Sequence, residues 1–225
     1  MNFENDLNSN KPIAVDLSPN SSDILIACGG IYGAMGIPPF EFFQVTKSLP
    51  INKIYLRDPF QCWYHHGLPG IAGDIPGIAN YLSSILDSHN INKCVLIGNS
   101  MGGFAAILFG ILLNAQVVHA FSPQTFIDRF SRWRFSDQRW QKQINKIYLL
   151  KSKKFLNLKK KLSKRNHNGI FNIYYSLAEP LDVIHAKRVE KYKNIQLHHY
   201  SSGGHDLVKS LRDAGELGDL IKRSF

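Results

Sequence analysis

The six residues Gly98-Asn99-Ser100-Met101-Gly102-Gly103 constrain this 225-residue chain more than any other stretch. They follow the apolar run Cys94-Val95-Leu96-Ile97 and precede the helix-like run 104–109, so the local order is strand, tight turn, helix. Glycines two residues to either side of Ser100 let strand and helix approach without side-chain clash. A serine on so sharp a turn projects its hydroxyl above the end of a sheet, which makes Ser100 the candidate nucleophile. The plain alternative is a serine that merely caps the following helix. The apolar strand, the helical run and the additional Gly103 agree on the first reading.

Around this turn, strand and helix patterns alternate. Residues 12–17, 23–28, 52–57, 116–121, 170–177 and 195–200 read as strands, with 94–97 leading into the turn. Helices are expected over 40–47, over 75–88 with Ile78, Leu82, Ile85 and Leu86 on one face, from 185 to 192, and from 207 onward. The stretch from Met101 to Phe121 holds no charged residue and imitates a membrane span. Asn114 and Gln116 interrupt it and Val117-Val118-His119-Ala120-Phe121 is β-rich, so it splits into a helix and a buried strand. The alternation predicts a mostly parallel central sheet with helices on both faces, and ligand sites at the carboxyl ends of its strands. Ser100, the Gly29-Gly30 loop and the loop after Phe121 then share one rim.

The length suits a single domain, 1–225. Basicity is local: residues 124–165 carry fourteen Lys or Arg against Asp128 and Asp137, a net of +12, while the whole chain carries +10 and the remainder about −2. Trp133, Phe135, Trp140, Ile144, Ile147, Tyr148 and Leu150 supply apolar anchors there, which reads as a basic cap of two or three short helices inserted into the domain. Three scattered cysteines fit neither a disulfide framework nor a zinc site. Cys28 and Cys94 fall in apolar strands, whereas Cys62 lies in a polar, aromatic stretch where a reactive thiol is conceivable. The polar, acidic N-terminal stretch lacks the layout of a signal peptide, so a cytosolic location is expected.

A serine hydroxyl needs a base within hydrogen-bond reach and a carboxylate that fixes the tautomer of that base. In strand-turn-helix enzymes of this kind the chain order is Ser, acid, His. His205, in the glycine-flanked loop after the last strand, is the candidate base, while His198 and His199 lie within that strand, where packing suits them better. Asp182, just past the strand 170–177, is the candidate acid, with Glu179 competing; Asp206 reads as a cap for the final helix. For a developing oxyanion the Met101 N–H opens a helix and is one donor. The second falls to the loop of Gly29, Gly30 and Ile31, with Gly30 and Ile31 preferred. Tyr32, Trp63, His65 and Gln124 sit on loops of the same rim and are offered as pocket lining; the loop of Trp63 could stack on a sugar or close an acyl channel, or simply cover the core. His65-His66 lacks the neighbours of a metal site, and no cofactor is implied.

The Gly98-Asn-Ser100-Met-Gly-Gly103 turn, Asp182 and His205, in that order across the alternation, resemble the α/β-hydrolase superfamily over nearly the whole chain. The resemblance implies Ser100, Asp182 and His205 as a triad, in a superfamily that also holds acyltransferases and inactive members. More loosely, Ser-Met-Gly-Gly with Phe121-Ser-Pro-Gln resembles bacterial α/β-hydrolase-like proteins associated with glycan modification and specialised metabolism. Cys-Gly-Gly-Ile stands where larger members have His-Gly-Gly-Gly. The expected function is cleavage of a carboxylic ester or thioester through an acyl-enzyme on Ser100. Acyl transfer by the same intermediate, or a non-catalytic scaffold for an anionic partner, are the alternatives. The +12 segment favours a small or carrier-linked acyl substrate that is anionic; nucleic acid is disfavoured because no recognition motif accompanies the charge.

Overall fold

A computed structural model describes residues 10–32, 39–163 and 168–225. Seven strands, β1 (Ile13–Asp16), β2 (Asp23–Cys28), β3 (Asn52–Leu56), β4 (Lys93–Asn99), β5 (Val117–Phe121), β6 (Ile170–Ser176) and β7 (Ile195–Tyr200), form one sheet in the order β1-β3-β2-β4-β5-β6-β7. Only β1 is antiparallel to its neighbour; the register from Ile24 opposite Cys94 to Phe121 opposite Tyr174 is parallel throughout. Parallel neighbours need crossovers, and a crossover puts a helix on a sheet face, which is why the central strands are buried on both sides.

Alternation along β2 assigns the two cores. Ile24, Ile26 and Cys28 face one cluster, and Leu25 and Ala27 face the other. The first cluster takes α2 (Ile75–Ser88) and α3 (Met101–Leu113); the second takes α8 (Leu207–Asp213) and α9 (Glu216–Lys222) together with the region of α1 (Phe43–Thr46). Asp74 caps α2 by accepting from the Gly77 N–H, with Pro76 in its first turn. Helix α3 is buried from Met101 to Ile111, so every face must be apolar, and Asn114 ends it in the left-handed region at φ 52°. Burial on this scale, at about 1.5–3 kcal/mol per large apolar side chain, explains the charge-free run without any membrane. Among the described residues no helix is long and apolar enough to cross one.

Three elements differ from expectation. The helix expected over 40–47 contracts to α1, because Phe42 at φ 67° stands outside helical geometry. The helix expected from 185 to 192 is α7 (Pro180–Lys187); Pro180 pre-sets its first turn and Glu179 caps it by accepting from the Leu181 N–H. The closing helix is two, broken at Gly215 with φ 77°.

The basic segment holds three short helices, α4 (Arg129–Arg134), α5 (Gln141–Tyr148) and α6 (Lys159–Leu162). Ile144, Ile147, Leu158 and Leu162 join the first core cluster. The two ends of the segment are tied together where the Ile127 N–H donates to the Leu156 carbonyl and the Leu158 N–H to the Thr125 carbonyl.

Candidate active site

The turn between β4 and α3 is set by backbone contacts. A Cβ on Gly98 would lie 2.0 Å from the Gly102 carbonyl oxygen, and one on Gly102 would lie 2.1 Å from the Cys28 carbonyl oxygen. Neither position tolerates a side chain, so both glycines are needed for the turn to close against β2. Ser100 between them adopts φ 54°, ψ −115°, a conformation that costs a non-glycine residue about 1–3 kcal/mol. The Ser100 N–H donates to the Phe121 carbonyl, and the Ser100 carbonyl accepts from the Phe104 N–H. The strain is thus held by the neighbouring strand and the first turn of α3.

The structure brings Ser100, Asp182 and His205 together beyond the carboxyl ends of β4, β6 and β7: Ser100 on the turn into α3, Asp182 in the first turn of α7, and His205 in a single 3-10 turn before α8. His205 Nε2 lies 2.9 Å from Ser100 Oγ, and His205 Nδ1 lies 2.8 Å from Asp182 Oδ2. With the Nδ1–H donating to the carboxylate, Nε2 is left to accept from the serine hydroxyl. Gln124 Nε2 donates to Ser100 Oγ at 3.0 Å, so the hydroxyl both receives and gives a hydrogen bond. Glu179 is occupied as the cap of α7, which leaves Asp182 as the acid in contact with the imidazole.

Asp182 is buried, and a second partner makes that possible. Arg139 Nη1 donates to Asp182 Oδ1 at 2.8 Å while the same guanidinium grips both oxygens of buried Asp137. Asp137 in turn accepts from His185 Nε2 at 3.0 Å. Burial by itself would raise the Asp182 carboxyl; the bonds and charges of His205 and Arg139 outweigh it and hold the group below the ordinary range. Asp137 is held low in the same way by His185 and Arg139. Burial pushes His185 down to about 4, so it stays neutral, donating from Nε2 and accepting the Thr125 N–H at Nδ1.

A cavity of about 250 Å³ opens over Ser100, with Gly30, Ile31, Tyr32, Glu41, Asn99 and Trp140 in its walls and His205 and Asp206 at its edge. Glu41 accepts the Gly30 N–H at 2.8 Å and is bonded by the Asn99 side chain; burial pushes its carboxyl up to about 7 against those two bonds. The Gly30 N–H is therefore already engaged, and of the two loop donors expected for an oxyanion only Ile31 is left. Met101 heads α3, where a first-turn N–H has no intrahelical acceptor.

Three of the four residues expected to line the pocket are not in its walls. Trp63 is fully buried in the core cluster, its backbone N–H donating to Met101 Sδ, and His65 lines a separate cavity with Lys151, Lys154 and Phe155 while its ring bonds the carbonyls of Cys62, Trp63 and Lys154. The cause is Asp58, a buried carboxylate that accepts the N–H groups of Phe60, Cys62 and Tyr64 and curls the loop inward, with Trp63 and Tyr64 both at positive φ. Cys62 is correspondingly buried and its thiol is pushed up to about 12, so the reactive-thiol expectation is corrected. Tyr32 does line the cavity, and Gln124 touches the nucleophile instead of a wall. Asp206 stands at the N-terminus of α8 without a side-chain cap bond and faces the cavity instead.

Glu41, Asn99, Trp140 and Arg139 were not marked by the sequence. Arg139 looks like any of fourteen cations in its segment, and Trp140 like one of its apolar anchors. The one available signal was the position of Asn99 beside the serine.

No family model and no curated protein sequence matches this chain. Solved structures do. A capsule O-acetyltransferase of Neisseria meningitidis serogroup A, a mutant in complex with CoA, superposes with a TM-score of 0.67 at 14% identity, covering 91% of this chain and 89% of that one. A lipase-esterase related protein from Clostridium acetobutylicum gives 0.61 at 17% identity, covering 96% and 100%. MenH from S. aureus gives 0.58 at 15% identity, covering 94% and 97%. The seven-stranded, mostly parallel sheet with helices on both faces is the α/β-hydrolase fold.

Proposed function

We propose that this chain is a serine-dependent acyl-transferring enzyme that opens a carboxylic ester or thioester. The reading is carried by one observation, the hydrogen-bonded run from Ser100 through His205 to buried Asp182. Ser100 Oγ attacks the carbonyl carbon as its proton passes to His205 Nε2. Asp182 holds the imidazole in the needed tautomer and stabilises the imidazolium. The N–H groups of Met101 and Ile31 receive the oxyanion, a contribution of about 3 kcal/mol per donor. His205 then returns the proton to the leaving oxygen or sulfur, and the acyl group rests on Ser100. Water activated by the same imidazole releases the acid. Residues 124–165 are read as a cap within a single domain spanning 1–225, contributing Trp140 to the cavity wall.

Transfer of the acyl group to an alcohol in place of water is the second reading. It draws support from the likeness in fold to an O-acetyltransferase bound to CoA and from the cavity beside the nucleophile, which has room for an acceptor. Both readings are tested by quenching the enzyme in acid during turnover of 4-nitrophenyl acetate and mapping the acetyl group by peptide mass. The expected result is acetyl-Ser100, with a product ratio that shifts from acid to ester when alcohols are added for the transfer reading and stays with acid for hydrolysis. Undiminished turnover by Ser100→Ala would contradict both.

A further inference from the structure

The charge of the cavity over Ser100 opposes the charge of the segment beside it. Among the described residues, no Lys or Arg lines the cavity, although residues 124–165 hold fourteen. Arg139, the cation nearest in sequence to a wall residue, is spent on Asp137 and Asp182. The walls instead present two carboxylates, Glu41 and Asp206. Glu41 is fixed in place from two sides, by the Gly30 N–H and by Asn99, so its free lone pairs are a rigid acceptor within the cavity. An anionic substrate entering here would find two carboxyl groups and, among the described residues, no lysine or arginine in the walls to pair with.

The remaining polar atoms ask for a ligand that both gives and takes hydrogen bonds. Six buried side-chain polar atoms lack a partner among the described residues, and three of them belong to this site: Asn99 Oδ1, Trp140 Nε1 and Gln124 Oε1. Asn99 and Trp140 are wall residues, and Gln124, which is 2% exposed, touches Ser100 Oγ. Leaving such a group unsatisfied costs about 1–3 kcal/mol, so an apolar acyl chain or alkyl leaving group would seal in that cost. Hydroxyl groups supply donors to Asn99 Oδ1 and Glu41 and an acceptor to the Trp140 Nε1–H. The side chains of Tyr32 and Trp140 add two flat apolar faces.

Resting on the acyl-transfer reading above, we propose that the cavity over Ser100 binds an uncharged, hydroxyl-rich ring of the sugar type, and that the ester opened at Ser100 is a short O-acyl ester of that ring. In the step, the bond from Ser100 Oγ to the acyl carbon forms and the bond from that carbon to the ring oxygen breaks. The serine proton travels through His205 to the ring oxygen, releasing the free hydroxyl.

The test compares kcat/KM for four acetyl esters: acetylated glucose, acetylcholine, acetylsalicylate as an anion, and 4-nitrophenyl acetate, with serine labelling by a fluorophosphonate as a parallel readout. The glucose ester is expected to exceed acetylcholine and acetylsalicylate by at least tenfold. Glu41→Gln, which keeps the shape and replaces one carboxyl oxygen with an amide NH2, is expected to narrow that preference by about tenfold. Equal or greater turnover of the anionic or the cationic ester overturns the proposal, as does a preference that Glu41→Gln leaves unchanged. Failure of the underlying reading looks different: no fluorophosphonate adduct and no turnover of any of the four.

Discussion

Arg139→Met removes one guanidinium from between two buried carboxylates, and the cost follows from the geometry. Arg139 bonds Asp182 at 2.8 Å and Asp137 at 3.1 and 3.2 Å, and the two aspartates are 1% and 3% exposed. After the change Asp182 keeps His205, and Asp137 keeps neutral His185 and the backbone N–H of residue 139; the other cation near Asp137, Arg132, is at 4.0 Å. Breaking a buried pair while leaving its partner charged costs about 3–5 kcal/mol. In a chain of this length that is a fall in Tm of about 6–20 °C. The pH dependence has a defined sign. Both carboxylates lie below their ordinary range in the folded protein, so the stability they contribute is present above the unfolded value of about 3.9 and is lost as pH falls through the folded values. The gap between wild type and Arg139→Met is therefore expected to narrow as pH falls from 7 to 3.5, because protonation removes the charges that Arg139 compensates. Urea unfolding of both proteins at pH 7 and pH 3.5 measures it. A gap below about 1 kcal/mol at pH 7, or one that stays constant down to pH 3.5, would refute the claim that Arg139 compensates these two charges.

Gly102→Ala places a Cβ 2.1 Å from the Cys28 carbonyl oxygen, a backbone atom that cannot step aside. A loss of about 3 kcal/mol or more is expected by denaturant unfolding, together with loss of Ser100 reactivity; a variant as stable as wild type would mean the turn is not closed as described. The cysteines give an independent check of burial. Cys28, Cys62 and Cys94 are buried, and burial raises the thiols of Cys62 and Cys94 to about 12, so the native protein is expected to resist a thiol reagent at pH 8 and to release three thiols in denaturant. Rapid modification of one thiol in the native state would place Cys62 at the surface after all.

What the sequence disclosed divides along physical lines. The alternation of strands and helices, the split of the uncharged run into α3 and β5, and the chain order of Ser100, Asp182 and His205 rest on periodicity and local backbone chemistry, which a sequence carries directly. Asp58 shows what it does not carry. The loop of Trp63 and His65 reads as aromatic and polar, and only its tertiary curl around one buried carboxylate decides that it packs inward. Arg139 is the same lesson in charge: its partners, Asp137 and Asp182, lie 2 and 43 residues away, and no local pattern separates it from its thirteen neighbours. The Gly30 N–H reads as a free donor until Glu41, eleven residues on, is seen to take it.

The central claim is that Ser100 is an activated nucleophile, and intact mass after a fluorophosphonate probe tests it most directly. Wild type is expected to gain one adduct, located on Ser100, with none on Ser100→Ala and labelling slowed by at least about a hundredfold in His205→Ala, in line with removal of a general base. A folded wild-type protein that takes no adduct, even from a smaller phosphonate able to enter a cavity of about 250 Å³, would contradict the account.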